Sequence, residues 1–368
     1  MNNSKKKITY LFGEGRIKRL QSTTNTSDEF FYGYHHVKEI YPETKIIEMD
    51  PTLKKPILNF FDRILRKITH LPFYLSHIVT YKNFVQINKS DVIMATNDRI
   101  AISALPIILL SKVFTKTKIL VVVMGLLSNA NKKNDNLLDK LILNLFLKIT
   151  DEFLFLGKPE CSKAVSLYPK YSDKFLFLPF CINEKFWEAD ESKSALKDKI
   201  AFIGNDGNRD YDKVIEIAKS FPQIDFIFVT QLSSKNKIPD NVQLLSGSWG
   251  DNTLSDLEIK KIYSQSRITI LPLKETIQPS GQSVALQSIC SGTPVMITKT
   301  EGFWDSSKYK NKENIFFIND NSIDSWIENI DKVYFNVSLL EKISKNGIEL
   351  IKEEYYLDKF NKRLLRML

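Results

Sequence analysis

Short apolar runs recur along this chain, each a few residues long and each followed by a longer stretch whose apolar residues fall at helical spacing. A strand covered on both faces reads as continuous apolar sequence, and parallel neighbours need a helical crossover between them. The alternation therefore restricts the chain to an α/β fold built on parallel sheets. Two series are present. The first comprises Ile8–Phe12, Lys45–Met49, Val92–Ala95, Ile119–Met124 and Phe153–Leu156, with helix-like stretches such as Ile100–Phe114 and Leu137–Ile149 between them. The second comprises Lys199–Ile203, Asp225–Val229, Gln243–Leu245, Ile268–Leu271, Pro294–Thr298 and Asn314–Phe317.

Pro179–Trp187 and the polar Glu188–Asp198 separate the series and read as a linker, which places a boundary near Phe186. A length of 368 residues suits two domains, and 43% hydrophobic with 26% charged residues excludes a disordered or collagen-like chain. The division expected is residues 1–185, residues 186–350 and a terminal helical segment, 351–368.

Cys161, Cys181 and Cys290 are an odd, widely spaced set without metal-site or redox spacing, which fits a reducing compartment. The start, Met1–Lys7 leading into Ile8–Phe12, lacks a secretory h-region, and the longest apolar run, Ile119–Leu127, is about half a membrane span. A cytoplasmic protein is expected. Residues 1–185 hold 28 Lys and Arg against 17 Asp and Glu, whereas residues 186–368 hold 24 against 26, so the whole excess of +9 comes from the first half.

A dense part of that charge lies in Lys54–Lys67. With Pro56 at a helix start, Ile57, Phe60, Phe61, Ile64, Leu65 and Ile68 share one face and Arg63, Arg66 and Lys67 the other. Such a helix could lie on the inner face of an anionic cell membrane as a peripheral contact; an ordinary surface helix with a solvated basic face fits the same residues. No basic-aromatic interleaving or known module supports nucleic-acid binding.

The stretch Ile268–Thr298 reads as a buried strand, a loop containing Pro279-Ser280-Gly281-Gln282, a helix from about Ser283 to Cys290 ended by Gly292, and a second strand. A small-residue loop entering a helix N-terminus suits a diphosphate. This order, closing on Ser291-Gly292-Thr293-Pro294-Val295, resembles the donor-binding core of the group 1 (family 4) retaining nucleotide-sugar glycosyltransferases of the GT-B fold. Leu178–Trp187 resembles that family's interdomain segment, Phe202–Asp212 its first C-terminal strand and following Gly/Arg loop, and Leu254–Ser264 the helix before the Ile268 strand. The resemblance is specific over about residues 176–305.

It implies an α/β protein with two Rossmann-like domains facing each other across a cleft, the second holding a UDP- or GDP-sugar and the first a glycan or lipid-linked acceptor. The last helix, from Glu353 on, would pack back toward the first domain. No metal and no other cofactor are implied. Transfer with retention would follow; the many Lys, Ile and Asn residues suit an AT-rich bacterial genome, which associates the chain with surface polysaccharide or glycolipid synthesis.

The family's signature is two glutamates separated by seven residues, one for the donor sugar and one for the donor ribose. Pro279 and Gln287 occupy those positions here, so both carboxylates are missing. Gln287 keeps a hydrogen-bonding side chain; Glu275 or Glu301 could replace the sugar contact, or the site is built mainly from backbone amides. Arg209 is the expected diphosphate ligand, since a guanidinium offers paired donors to charge that grows as the glycosidic bond breaks. Its alternative is a surface arginine paired with Asp210 or Asp212. Gly204, Asn208, Lys213, Ser280, Gly281, Gln282 and Ser283 complete the expected donor site, with Lys213 solvated and the serines helix caps in the alternative. Gly13-Glu14-Gly15 follows the first strand, and Glu14 would be the base if transfer were inverting. His35, His36, His70 and His77 read as packing residues. A GT-B sugar-nucleotide epimerase and a non-catalytic sugar-nucleotide binder remain as competing functions.

Overall fold

The computed structural model describes residues 6–21, 25–53, 55–129, 136–189, 197–247 and 254–368. Seven residues of the expected linker, 190–196, lie outside them, as does Lys54. The described residues form two compact units, one drawn from 1–21, 30–179 and 361–368, the other from 22–29 and 180–360.

The first unit holds a six-stranded, wholly parallel sheet in the order β2-β1-β3-β4-β5-β6. Its strands are β1 (Ile8–Phe12), β2 (Lys45–Glu48), β3 (Val92–Ala95), β4 (Lys118–Val123), β5 (Glu152–Phe155) and β6 (Phe175–Phe177). Helices α1 (Arg16–Gln21), α2 (Tyr34–Ile40), α3 (Pro56–Thr69), α4 (Tyr81–Asn88), α5 (Asp98–Phe114), α6 (Leu126–Asn129), α7 (Leu137–Ile149) and α8 (Lys158–Leu167) connect them. Every residue of β1 and β3 is buried, whereas the edge strand β2 is half exposed, so the apolar runs mark the sheet interior. Tyr32 and Gly33 take φ of 49° and 76° between a short 3-10 turn at Glu29–Phe31 and α2. Left-handed backbone ends a helix, and Gly33 tolerates it because it has no Cβ.

The second unit begins with the short helix α9 (Glu184–Trp187). Its parallel sheet runs β12-β11-β10-β7-β8-β9. These are β7 (Lys199–Ile203), β8 (Phe226–Val229), β9 (Val242–Leu245), β10 (Ser266–Leu271), β11 (Val295–Thr298) and β12 (Phe316–Ile318). Helices α10 (Tyr211–Ser220), α11 (Asp256–Gln265), α12 (Gln282–Cys290), α13 (Ile323–Tyr334) and α14 (Val337–Glu354) surround it, and α15 (Leu357–Met367) gives its residues from Asn361 on to the first unit. There the Lys118 ammonium donates to the Met367 carbonyl at 2.6 Å.

The chain enters the second sheet at its centre, builds β7-β8-β9 outward, then returns to add β10-β11-β12 on the other side. Strand order therefore reverses between β7 and β10. Loops leaving two strands in opposite directions open a crevice at their carboxyl ends, where α/β sheets bind ligands.

Candidate functional site

Two loops stand at that reversal, Gly204–Asp210 after β7 and Pro272–Gly281 after β10. A short antiparallel bridge ties them: Asp210 N–H donates to Pro272 O at 3.0 Å and Lys274 N–H to Asn208 O at 2.8 Å. The Asn208 side-chain amide also donates to Ser280 Oγ at 2.8 Å. Asp206 shapes the first loop, its Oδ1 accepting from Asn208 N–H at 3.0 Å. Asp210 caps α10 by accepting from Lys213 N–H.

This backbone clamp fixes Arg209, a residue only 4% exposed. Its Nη1 stands 2.9 Å from Asp206 Oδ2, a charge contact without hydrogen-bond alignment. The partner is Asp206, not Asp210 or Asp212, and the arginine is no surface residue. Burial pushes its pKa down and the Asp206 carboxylate opposes that shift; a guanidinium remains charged regardless. Gly204 makes the placement possible: a Cβ there would lie 2.3 Å from Arg209 Nε.

Gly281, with φ of 77°, precedes α12 and supplies no side-chain cap. A Cβ on it would meet Ile297 and Leu271 at 3.3 Å, with Arg209 Nη1 at 3.8 Å. The nine-residue helix thus starts beside the guanidinium. Buried cation, helix N-terminus and small-residue loop form an arrangement suited to a polyanion, because dipole and charge act at one place.

The other expected residues differ in how they are held. Lys213 is not solvated: its ammonium pairs with Asp210 at 3.2 Å and donates to Asn321 O at 2.5 Å. Asn321 was not singled out by sequence reasoning, yet it donates to Leu273 O at 2.9 Å and accepts from Thr298 and Trp326, bracing the β10 loop from behind. Glu275 and Glu301 are both exposed, and the Glu275 carboxylate accepts the Glu301 N–H at 2.7 Å. Beside them Gly302 is pressed against the β10 loop, where a Cβ would lie 2.4 Å from the Ile277 carbonyl. Pro279 and Ser283 are half-buried at the loop's end and the first turn of α12, next to the buried Gln282.

Gln287 is buried, and its amide nitrogen donates to Glu29 Oε1 at 2.8 Å. Trp187 Nε1 donates to the same oxygen at 2.8 Å, and the Ser27 hydroxyl donates to Oε2. Burial raises the Glu29 pKa, with the Ser27 and Gln287 hydrogen bonds opposing. Asp256 adds a second tether on the segment, accepting Ser27 N–H at 2.7 Å. A lone glutamate in an aromatic-rich stretch carries no local signal of this role.

In the first unit, Glu14 is exposed in the turn between β1 and α1. His35 packs edge-on against Phe31, and burial lowers the His77 pKa. Among the described residues no group of three or more His, Cys, Asp or Glu is placed to hold a metal ion.

No protein-family model matches the chain, and no curated protein matches it. Solved structures do. A sucrose-phosphate synthase from Thermosynechococcus elongatus superposes with a TM-score of 0.71 at 11% identity, over 98% of both chains. HepE from Anabaena, in complex with UDP and glucose, gives 0.65 at 10% identity, over 98% of this chain and 99% of that one. A glycosyltransferase from Rickettsia africae gives 0.61 at 13% identity, over 99% and 97%. At such identities the likeness speaks for architecture: the chain has the GT-B fold of these glycosyltransferase structures, with two Rossmann-like parallel sheets.

Proposed function

We propose that this protein is a nucleotide-sugar-dependent glycosyltransferase, moving a sugar from a UDP- or GDP-sugar to a glycan or lipid-linked acceptor with retention of configuration. The observation that carries the reading is Arg209, a buried guanidinium at the strand-order reversal of the second sheet, beside the N-terminus of α12. Neighbours of the same fold whose structures contain UDP or UDP-glucose support it.

In the proposed reaction the donor diphosphate lies against Arg209 and the first turn of α12. The bond from the anomeric carbon to the phosphate oxygen breaks, and a bond to the acceptor oxygen forms on the same face. The acceptor proton passes to the departing phosphate oxygen. Arg209 and the helix dipole stabilise the negative charge that develops there, without a protein nucleophile. Asp206 shares the guanidinium and keeps it aimed while the site is empty of anion. Gln287 serves through Glu29, as part of the support under α12.

A panel of UDP-, GDP- and dTDP-sugars tests the reading by release of nucleoside diphosphate. Glycosyl transfer predicts slow donor hydrolysis and its acceleration by an acceptor. Binding without any turnover would favour a non-catalytic binder, for which the absent signature carboxylates at Pro279 and Gln287 speak, and an isomerised sugar would favour an epimerase.

A further inference from the structure

On the first unit, α3 and α7 turn apolar residues to solvent. Along α3, Ile57 is 71% and Phe60 61% exposed, followed by Phe61 and Ile68; along α7, Leu137 is 71% and Leu141 57% exposed. The end of α3 meets the start of α7. The side chain of Asn136, which caps α7, donates to the Ile68 carbonyl at 2.7 Å, and Leu65 and Ile142 pack against the same core. Single exposed apolar residues are ordinary, but such a set on two adjacent helices marks an interaction surface.

The charged residues on these helices indicate what covers it. Each carries one acid, Asp62 on α3 and Asp139 on α7, and both are buried. Asp62 turns inward and accepts from the backbone N–H groups of Leu75 and Ser76 and from the Ser76 hydroxyl. The exposed residues of the two helices therefore include Arg63, Lys67, Lys140 and Lys148 and no carboxylate. Two copies of this face would oppose cation to cation. An anionic bilayer would instead take the apolar residues into its acyl boundary and the cations among its phosphates.

We propose that α3 and α7 together form a docking surface for an anionic membrane. The surface lies in the first unit and uses no residue of the nucleotide site, so it stands independently of the glycosyltransferase reading. The contribution of α7 depends on the fold, which brings Leu137 beside the end of α3.

Cosedimentation of the full chain with vesicles of phosphatidylcholine alone, or with added phosphatidylglycerol, tests the proposal. The expected result is partitioning onto the anionic vesicles stronger by about tenfold or more, weakened by salt. Phe60→Glu with Phe61→Glu should abolish it, and so should Leu137→Glu with Leu141→Glu, at unchanged melting temperature. Three outcomes overturn it: no preference of the wild type for anionic vesicles, binding that survives both pairs of substitutions, or a dimer seen by light scattering that the same substitutions dissociate. Should one pair lower the melting temperature, the other pair and the charge reversals Arg63→Glu and Lys140→Glu decide.

Discussion

The side-chain amide of Gln287 donates to Glu29 Oε1 at 2.8 Å across 258 residues of sequence, and Trp187 Nε1 donates to the same oxygen. One buried carboxylate thus joins an N-terminal segment, the start of the second unit and the middle of α12. Removing it by Glu29→Ala would leave three buried side-chain donors, on Gln287, Trp187 and Ser27, without this acceptor, at about 1–3 kcal/mol each. Thermal and denaturant unfolding should show a loss of that order. Gln287→Ala combined with Glu29→Ala should cost less than the sum of the two, because each exposes the same bond.

Glu160 predicts a pH dependence. It is buried on α8, accepts from Gly125 N–H at 2.6 Å, and its pKa is pushed up to about 8, first by burial and then by Asp98 nearby. The folded state therefore holds a proton that the unfolded state releases at lower pH. Raising the pH from the ordinary carboxylate range toward 8 must lower stability, by at most about 1.4 kcal/mol per pH unit. Melting temperatures recorded between pH 5 and 9 should fall for the wild type and fall less for Glu160→Gln.

Gly204→Ala places a methyl group where Arg209 Nε sits, 2.3 Å away. The arginine has to leave its position. The variant should fold with some loss of stability, because its φ of 154° disfavours a Cβ while its clash is with a side chain, and should bind nucleotide more weakly; calorimetric titration beside a melting curve separates the two effects. Gly302→Ala is of another kind, because its Cβ would meet backbone of Ile277 at 2.4 Å. There the expectation is destabilisation of about 1–3 kcal/mol, typical of overpacking.

Interior strands were legible because burial on both faces leaves an unbroken apolar run, as in Ile8–Phe12 and Lys199–Ile203. The starts of β4 and β5 shifted because a charged residue joins the ladder there. Lys118 starts β4 with its ammonium 2.7 Å from Glu152, which starts β5, so two charges at the sheet's end read as loop in sequence. The three residues of β6 were too few to stand out. At the site, Arg209, Gly204 and the Ser280–Gly281 turn were legible from their place after apolar strands. Glu29 and Asn321 were not. Their partners lie far along the chain, and only the packed fold brings Trp187 and Gln287 to one carboxylate, or Leu273 and Trp326 to one asparagine.

The most direct test of the account is calorimetric titration of UDP and GDP into the wild type, Arg209→Ala and Arg209→Lys. Loss of a buried charged hydrogen-bonding partner to a diphosphate corresponds to about 1.5–3 kcal/mol, or roughly ten- to hundredfold in affinity. The account predicts that one of the two nucleotides binds the wild type, that Arg209→Ala weakens it by that factor with its melting temperature retained, and that Arg209→Lys falls between. Equal affinity in Arg209→Ala, or no binding of either nucleotide to the wild type, would contradict it.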